Sequence, residues 1–183
     1  MTASIAIFGS AFNPPSLGHR SVIARLGHFD QVLLLPSFRH AWGKNMLDYD
    51  SRCQLVSAFI EDLQQPNVTL SRIEEDIAVG DEAITTFAVL EALEKRHPDA
   101  NLTFVIGPDN FLNFSKFYKA DAIMTRWQVL ACPETVPVRS TDIRDHIINN
   151  RTVSHLTTPK VANMLREKAG IASKVSPTRF CFG

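Results

Sequence analysis

Glycine is scarce in this chain. Its 183 residues include 8 glycines and 3 cysteines, and the formal net charge is zero. The glycines stand at 9, 18, 27, 43, 80, 107, 170 and 183, and no two are separated by a single residue. That excludes the G-x-G-x-x-G loop of dinucleotide-binding folds. The Gly43-Lys44 pair lacks a glycine five residues upstream and a following Ser or Thr, which excludes a Walker A loop. Lys plus Arg (19) balance Asp plus Glu (19), so the basic surplus of a protein that coats nucleic acid or an anionic membrane is missing. No apolar run approaches the roughly 18 residues of a membrane span, and Ile5–Phe8 is too short for a signal peptide. Cys53, Cys132 and Cys181 are odd in number with no C-x-x-C, the usage expected of reduced thiols in the cytoplasm. Histidines 28, 97, 146 and 155 show no metal-ligand spacing, so no resident metal site is expected.

What is present is alternation. Short apolar runs at Ser4–Phe8, Gln31–Leu35, Val68–Leu70, Leu102–Ile106 and Gln128–Ala131 read as strands, mostly too apolar for a one-sided sheet. Helical spacing marks Gly18–Leu26, a helix capped by Asp50 that buries Leu55, Val56, Phe59, Ile60 and Leu63, and the set Ile84, Phe87, Leu90 and Leu93 ending at His97-Pro98. An acidic loop is expected after Leu70. Ser140–Ile148 and Pro159–Lys168 close the pattern, with Thr158 as a cap and Pro159 at the first helical position. The expected fold is one α/β domain over residues 1–183, a three-layer Rossmann-like parallel sheet with helices on both faces. Ligands bind such sheets beyond the carboxyl ends of the strands, where strand order reverses.

Three segments at those ends carry chemistry. Gly9–His19 leaves the first strand through a glycine, is stiffened by Pro14 and Pro15, and opens a helix at Gly18-His19, whose free N–H groups favour anions. A turn with a helix-capping histidine would read the same way. Gly107-Pro108-Asp109-Asn110 puts a carboxylate where ribose hydroxyls are accepted in such folds, although a helix cap fits it equally. Arg139–Arg144 starts a helix with Ser140 and Thr141, and Arg144 lies one turn beyond Thr141. Hydroxyls, amides and a guanidinium together suit a polyphosphate, while a routine cap with a surface arginine is the plainer alternative.

Taken in order, these segments resemble the nucleotidyltransferase superfamily with the H/T-x-G-H signature, and most closely its nicotinate/nicotinamide-nucleotide adenylyltransferases. Gly9–Pro14 is similar to that family's G-G-T-F-D-P, Ile106–Asp109 to its I-G-A-D, and Arg139–Arg144 to its S-S-T-x-I-R. Leu156–Ala162 is similar to its Y-L-V-P-x-x-V-A. The resemblance spans essentially the whole chain.

It implies transfer of AMP from ATP, bound with Mg²⁺, onto a pyridine mononucleotide, giving a dinucleotide and pyrophosphate by direct attack. On this resemblance the catalytic group is His19 with Ser16 and Arg144. ATP contacts fall to Gly9, Ser10, Gly18, His19, Gly107, Asp109, Ser140, Thr141 and Arg144, with the helices at about 140–170 completing the site. The mononucleotide falls to Ser10, Ala11, Phe12, Lys44, Thr86 and Phe117. Phe117 stands at a ring-stacking position, and a core aromatic reads equally well there.

Departures cluster near the pyridine. Ser16 replaces the first signature histidine, though pantetheine-phosphate adenylyltransferases carry Thr there. Thr85 replaces the tyrosine of S-Y-T, and position 88 is Ala where the family has Asp. In the His40–Lys44 loop, Trp42 reads as a cover or an anchor. Arg52 matches a family arginine, with a structural salt bridge as its plainer role. Two alternatives stand beside the main reading: the same transfer onto another phosphomonoester, or a nucleotide-binding protein of weak catalytic power. ATP and a mononucleotide are the implied partners. A homo-oligomer is compatible with the sequence, which does not choose between the acid and amide substrates.

Overall fold

The computed structural model describes residues 1–39 and 46–175, with side chains described as far as Gly170. Five strands, β1 (Ala3–Ser10), β2 (Gln31–Pro36), β3 (Val68–Leu70), β4 (Ala100–Ile106) and β5 (Gln128–Ala131), form one sheet of order β3-β2-β1-β4-β5. Every pairing is parallel. The chain therefore runs outward from β1 to β3, then crosses back to lay β4 on the other side of β1. The carboxyl ends of β1 and β4 flank the reversal, which opens a crevice there.

Alternate residues of each strand feed two separate cores. Ala6, Phe8, Val32, Leu34 and Val105 pack one way, with Ile23, Leu55, Phe59, Ile143, Val161 and Leu165. These last come from α1 (Leu17–Ile23), α2 (Tyr49–Leu63), α7 (Ser140–Ile148) and α8 (Pro159–Val175). Ile5, Ile7, Leu33, Leu35 and Phe104 pack the other way, against Ile73, Leu90, Leu93 and Ile123. Those belong to α3 (Ile73–Ile77), α4 (Thr86–Arg96) and α6 (Ala120–Arg126). Burial on both faces is why the strands read as continuous apolar runs.

Several local expectations need correction. Asp48, not Asp50, caps α2, its Oδ1 accepting from the Ser51 N–H at 2.8 Å. The acidic segment after β3 is not a loop but α3, and Ile84 lies before α4. Residues 24–26 tighten into a 3₁₀ turn, and α8 continues past Lys168 to Val175. Among the described residues the Thr158 hydroxyl is buried without a hydrogen-bond partner and so does not cap α8; its carbonyl accepts from the Ala162 N–H. Among the described residues no helix is long and apolar enough to cross a membrane.

Candidate active site

Loop 1, residues 11–16, leaves β1 and turns over the end of the sheet. Phe12 adopts a left-handed φ of +46°, uncommon for a bulky side chain. The turn carries its ring into the core beneath His19, centroids 4.7 Å apart. Phe12 is fully buried, so its ring offers no face to the mononucleotide expected to contact it. Three consecutive carbonyls of this loop are taken by side chains from far along the chain. Arg144 Nη1 donates to Asn13 O at 2.9 Å, Ser140 Oγ to Pro14 O at 2.7 Å, and Thr157 Oγ1 to Pro15 O at 2.8 Å. Leaving such carbonyls unmet in a buried loop would be costly.

Ser16 caps α1 and sets the state of His19. Its hydroxyl donates to Val138 O at 3.0 Å and accepts from the His19 N–H at 3.3 Å. The Ser16 N–H donates to His19 Nδ1 at 3.0 Å. Nδ1 is thereby an acceptor, so the ring proton sits on Nε2, which lies 3.0 Å from Ser10 Oγ. Desolvation pushes the imidazole down to about 4. His19 is a neutral donor aimed from the helix start toward the end of β1.

Gly18 is needed for close packing. A Cβ there would lie 2.3 Å from Val138 O and 2.1 Å from Glu134 Oε1. Gly107 caps α5 (Pro108–Leu112), with open space around its Cα. Asp109, one residue into that helix, is held by Arg139, with contacts of 2.8 Å and 3.3 Å. Arg139 stands where the resembled motif has its first serine. At the start of α7, Thr141 Oγ1 accepts from Arg144 Nη2 at 3.2 Å. The Ser140 hydroxyl is committed to Pro14, which leaves the first amides of α7 as its free donors.

On the α3–α4 side of the crevice lies a cavity of about 400 Å³ lined by Gly9, Ser10, Ala11, Thr86 and Phe117, among others. Phe117 lines this cavity and packs on Phe104 and Phe114, at 6.1 Å and 5.3 Å. Thr85 Oγ1 caps α4, accepting from the Ala88 N–H at 3.2 Å. His40, Trp42 and Lys44 lie outside the described residues. No group of three or more His, Cys, Asp or Glu suited to a metal occurs among the described residues.

One residue of the site escaped the sequence, and the plainer role expected of another is corrected. Among the described residues Arg52 forms no salt bridge; it is 1% exposed, and its guanidinium donates to Leu47 O (2.9 Å), Ala11 O (2.7 Å) and Ser37 O (2.7 Å). It fastens three loops around the crevice. Glu74 lines the cavity, and its Oε2 accepts from the Phe38 N–H at 2.8 Å. Nothing in the run Glu74-Glu75-Asp76 distinguishes it.

A parallel sheet of this order, whose first strand leads to a glycine–histidine helix start at the reversal, defines a nucleotidyltransferase of the Rossmann-like kind. The cytidylyltransferase-like family model matches residues 7–146. A protein of Vibrio parahaemolyticus assigned as a nicotinate-nucleotide adenylyltransferase is 53% identical, covering 91% of this chain and 94% of its own, with a TM-score of 0.83. A Myxococcus xanthus protein assigned likewise is 28% identical over 94% of this chain and 97% of its own length. The Plasmodium falciparum nicotinic acid mononucleotide adenylyltransferase solved with NaAD shares the fold: TM-score 0.71, 13% identity, 91% of this chain and 96% of its own. The chain belongs to the cytidylyltransferase-like family and, within it, to the nicotinate-nucleotide adenylyltransferases.

Proposed function

We propose that the protein transfers AMP from ATP to a pyridine mononucleotide, in NAD biosynthesis. A phosphate oxygen of the mononucleotide attacks the α-phosphorus of ATP, the bond to the β-phosphate oxygen breaks, and pyrophosphate leaves. No covalent enzyme intermediate is needed, so catalysis is positioning and charge stabilisation. The observation that carries this reading is the fixed Nε2–H of His19, a preorganised neutral donor for an α-phosphate oxygen as charge builds. Ser10 would release that proton to the incoming phosphate.

The α7 amides and Arg144 would hold the β- and γ-phosphates, and Asp109 the ribose once it parts from Arg139. ATP would enter as its Mg²⁺ complex, the metal riding on the phosphates. Phe117 and Thr86 would border the pyridine. A cytoplasmic setting fits Cys53 and Cys132, both buried as free thiols.

Pyrophosphate release from Mg-ATP tests the reading with nicotinate and nicotinamide mononucleotides side by side. Turnover with at least one is expected; none with either overturns it. Thr85 and Ala88, which depart from the family beside this pocket, favour a second reading, the same transfer to another phosphomonoester. Turnover across a panel of acceptors separates the two.

A further inference from the structure

Glu74 is the one carboxylate among the described residues lining the acceptor cavity. It sits on α3 and is held at one oxygen, Oε2, by the Phe38 N–H at 2.8 Å. Its neighbours on the helix are spoken for: Glu75 pairs with Arg72, and Asp76 with Arg96. Glu74 has no ion-pair partner among the described residues. Thr86 from α4, Ser10 from β1 and Phe117 share its cavity and are uncharged. Two cations nearby among the described residues have other duties. Arg52, on α2, serves its three carbonyls, and Arg39, which also lines the cavity, donates to Gly80 O.

We propose that the Glu74 carboxyl reads the exocyclic group of the pyridine ring, making it the specificity-determining residue of the acceptor pocket. The inference rests on the pyridine-mononucleotide reading above. An ionised Glu74 accepts from the N–H of a carboxamide and repels a carboxylate. A protonated Glu74 donates to a carboxylate and loses its advantage with the amide. The choice between acid and amide is then set by one proton. Desolvation pushes this carboxyl up to about 7, against the opposing pull of the Phe38 N–H and of Arg52. Its charge therefore changes near neutrality, where an ordinary glutamate would be fully ionised.

The test measures kcat/KM for nicotinamide and nicotinate mononucleotides from about pH 6 to about pH 8. Titration of the phosphate, common to both, cancels in their ratio. In the unmodified protein the amide-to-acid ratio is expected to rise on the order of tenfold, as full ionisation of one facing carboxylate would produce. Glu74→Gln keeps the size and an acceptor for the Phe38 N–H, and its ratio is expected to be flat. The proposal is overturned if the unmodified protein's ratio is flat, or if Glu74→Gln keeps the same slope. Calorimetric binding of each mononucleotide without ATP gives the same ratio independently of turnover. If neither compound is turned over, the proposed reaction falls, while the binding ratio still decides the role of Glu74.

Discussion

The two walls of the crevice are built differently. On the α1–α7 wall, loop 1 is tied down by Arg144, Ser140 and Thr157, the Ser16 amide fixes one tautomer of His19, and the Ser16 hydroxyl is tied to Val138 O. On the α3–α4 wall there is open volume and a carboxyl held at a single oxygen. The departures Thr85 and Ala88 lie on this second wall. A satisfied network tolerates little change, because removing any member strands a buried partner. A cavity tolerates more, since the space beside each side chain is waiting for a substrate. On the proposed function, the reaction type is built into the more constrained wall and the acceptor choice into the freer one.

The largest effect should come from breaking the first wall at its donor. His19→Ala should lower turnover on the order of 10²-fold or more, measured by pyrophosphate release. Acid unfolding adds a second readout. His19 is about 4 when folded and 6.5 as a free side chain, so the unfolded chain binds the extra proton. Stability from this group is therefore complete above about 6.5 and lost as pH falls toward about 4. The unmodified protein should lose up to about 3 kcal/mol relative to the alanine variant across that window, followed by urea unfolding.

Next in size is the clasp between the walls. Arg52→Lys replaces a planar fork by a point charge that cannot reach carbonyls of three loops at once. A loss of about 2–3 kcal/mol is expected in urea unfolding. An unchanged midpoint would show that the loops hold themselves.

The smallest effect sharpens the comparison at two glycines. Gly18→Ala drives a methyl into a backbone carbonyl of the constrained wall, at about 1–3 kcal/mol. Gly107→Ala meets no heavy atom within 4 Å and should cost less than about 1 kcal/mol. Equal thermal shifts for the two would remove the distinction.

Much of the architecture is legible in the chain because strands buried on both faces are simply apolar. VLLL at 32–35 needs no neighbour to be read as such. The short helices escaped for a local reason: α3 and α5 have five residues each, too few to show a period. Site residues in ordered motifs, such as His19, Asp109 and Arg144, were visible as candidates, but their partners were not. That Asp109 faces Arg139, 30 residues on, or that Phe12 turns inward through a positive φ, is decided by tertiary packing. Arg52 stood out in the sequence, but its three carbonyl partners did not. Glu74 shows the limit most plainly: it looks like any acid in an acidic run until burial separates it from its neighbours.

The ties on loop 1 also bear on the order in which the molecule is assembled. Asn13, Pro14 and Pro15 meet their partners only 126 to 142 residues later in the chain. At synthesis rates of about 5–20 residues per second, those carbonyls have only water for on the order of ten seconds. The first strand can pair with its neighbours well before that. The turn that positions the histidine must wait for the segment through Thr157, so this end of the crevice is among the last parts to set. Long-range closure of this kind is slow and entropically expensive. It also keeps His19 from being fixed in place until the chain that completes its surroundings is present.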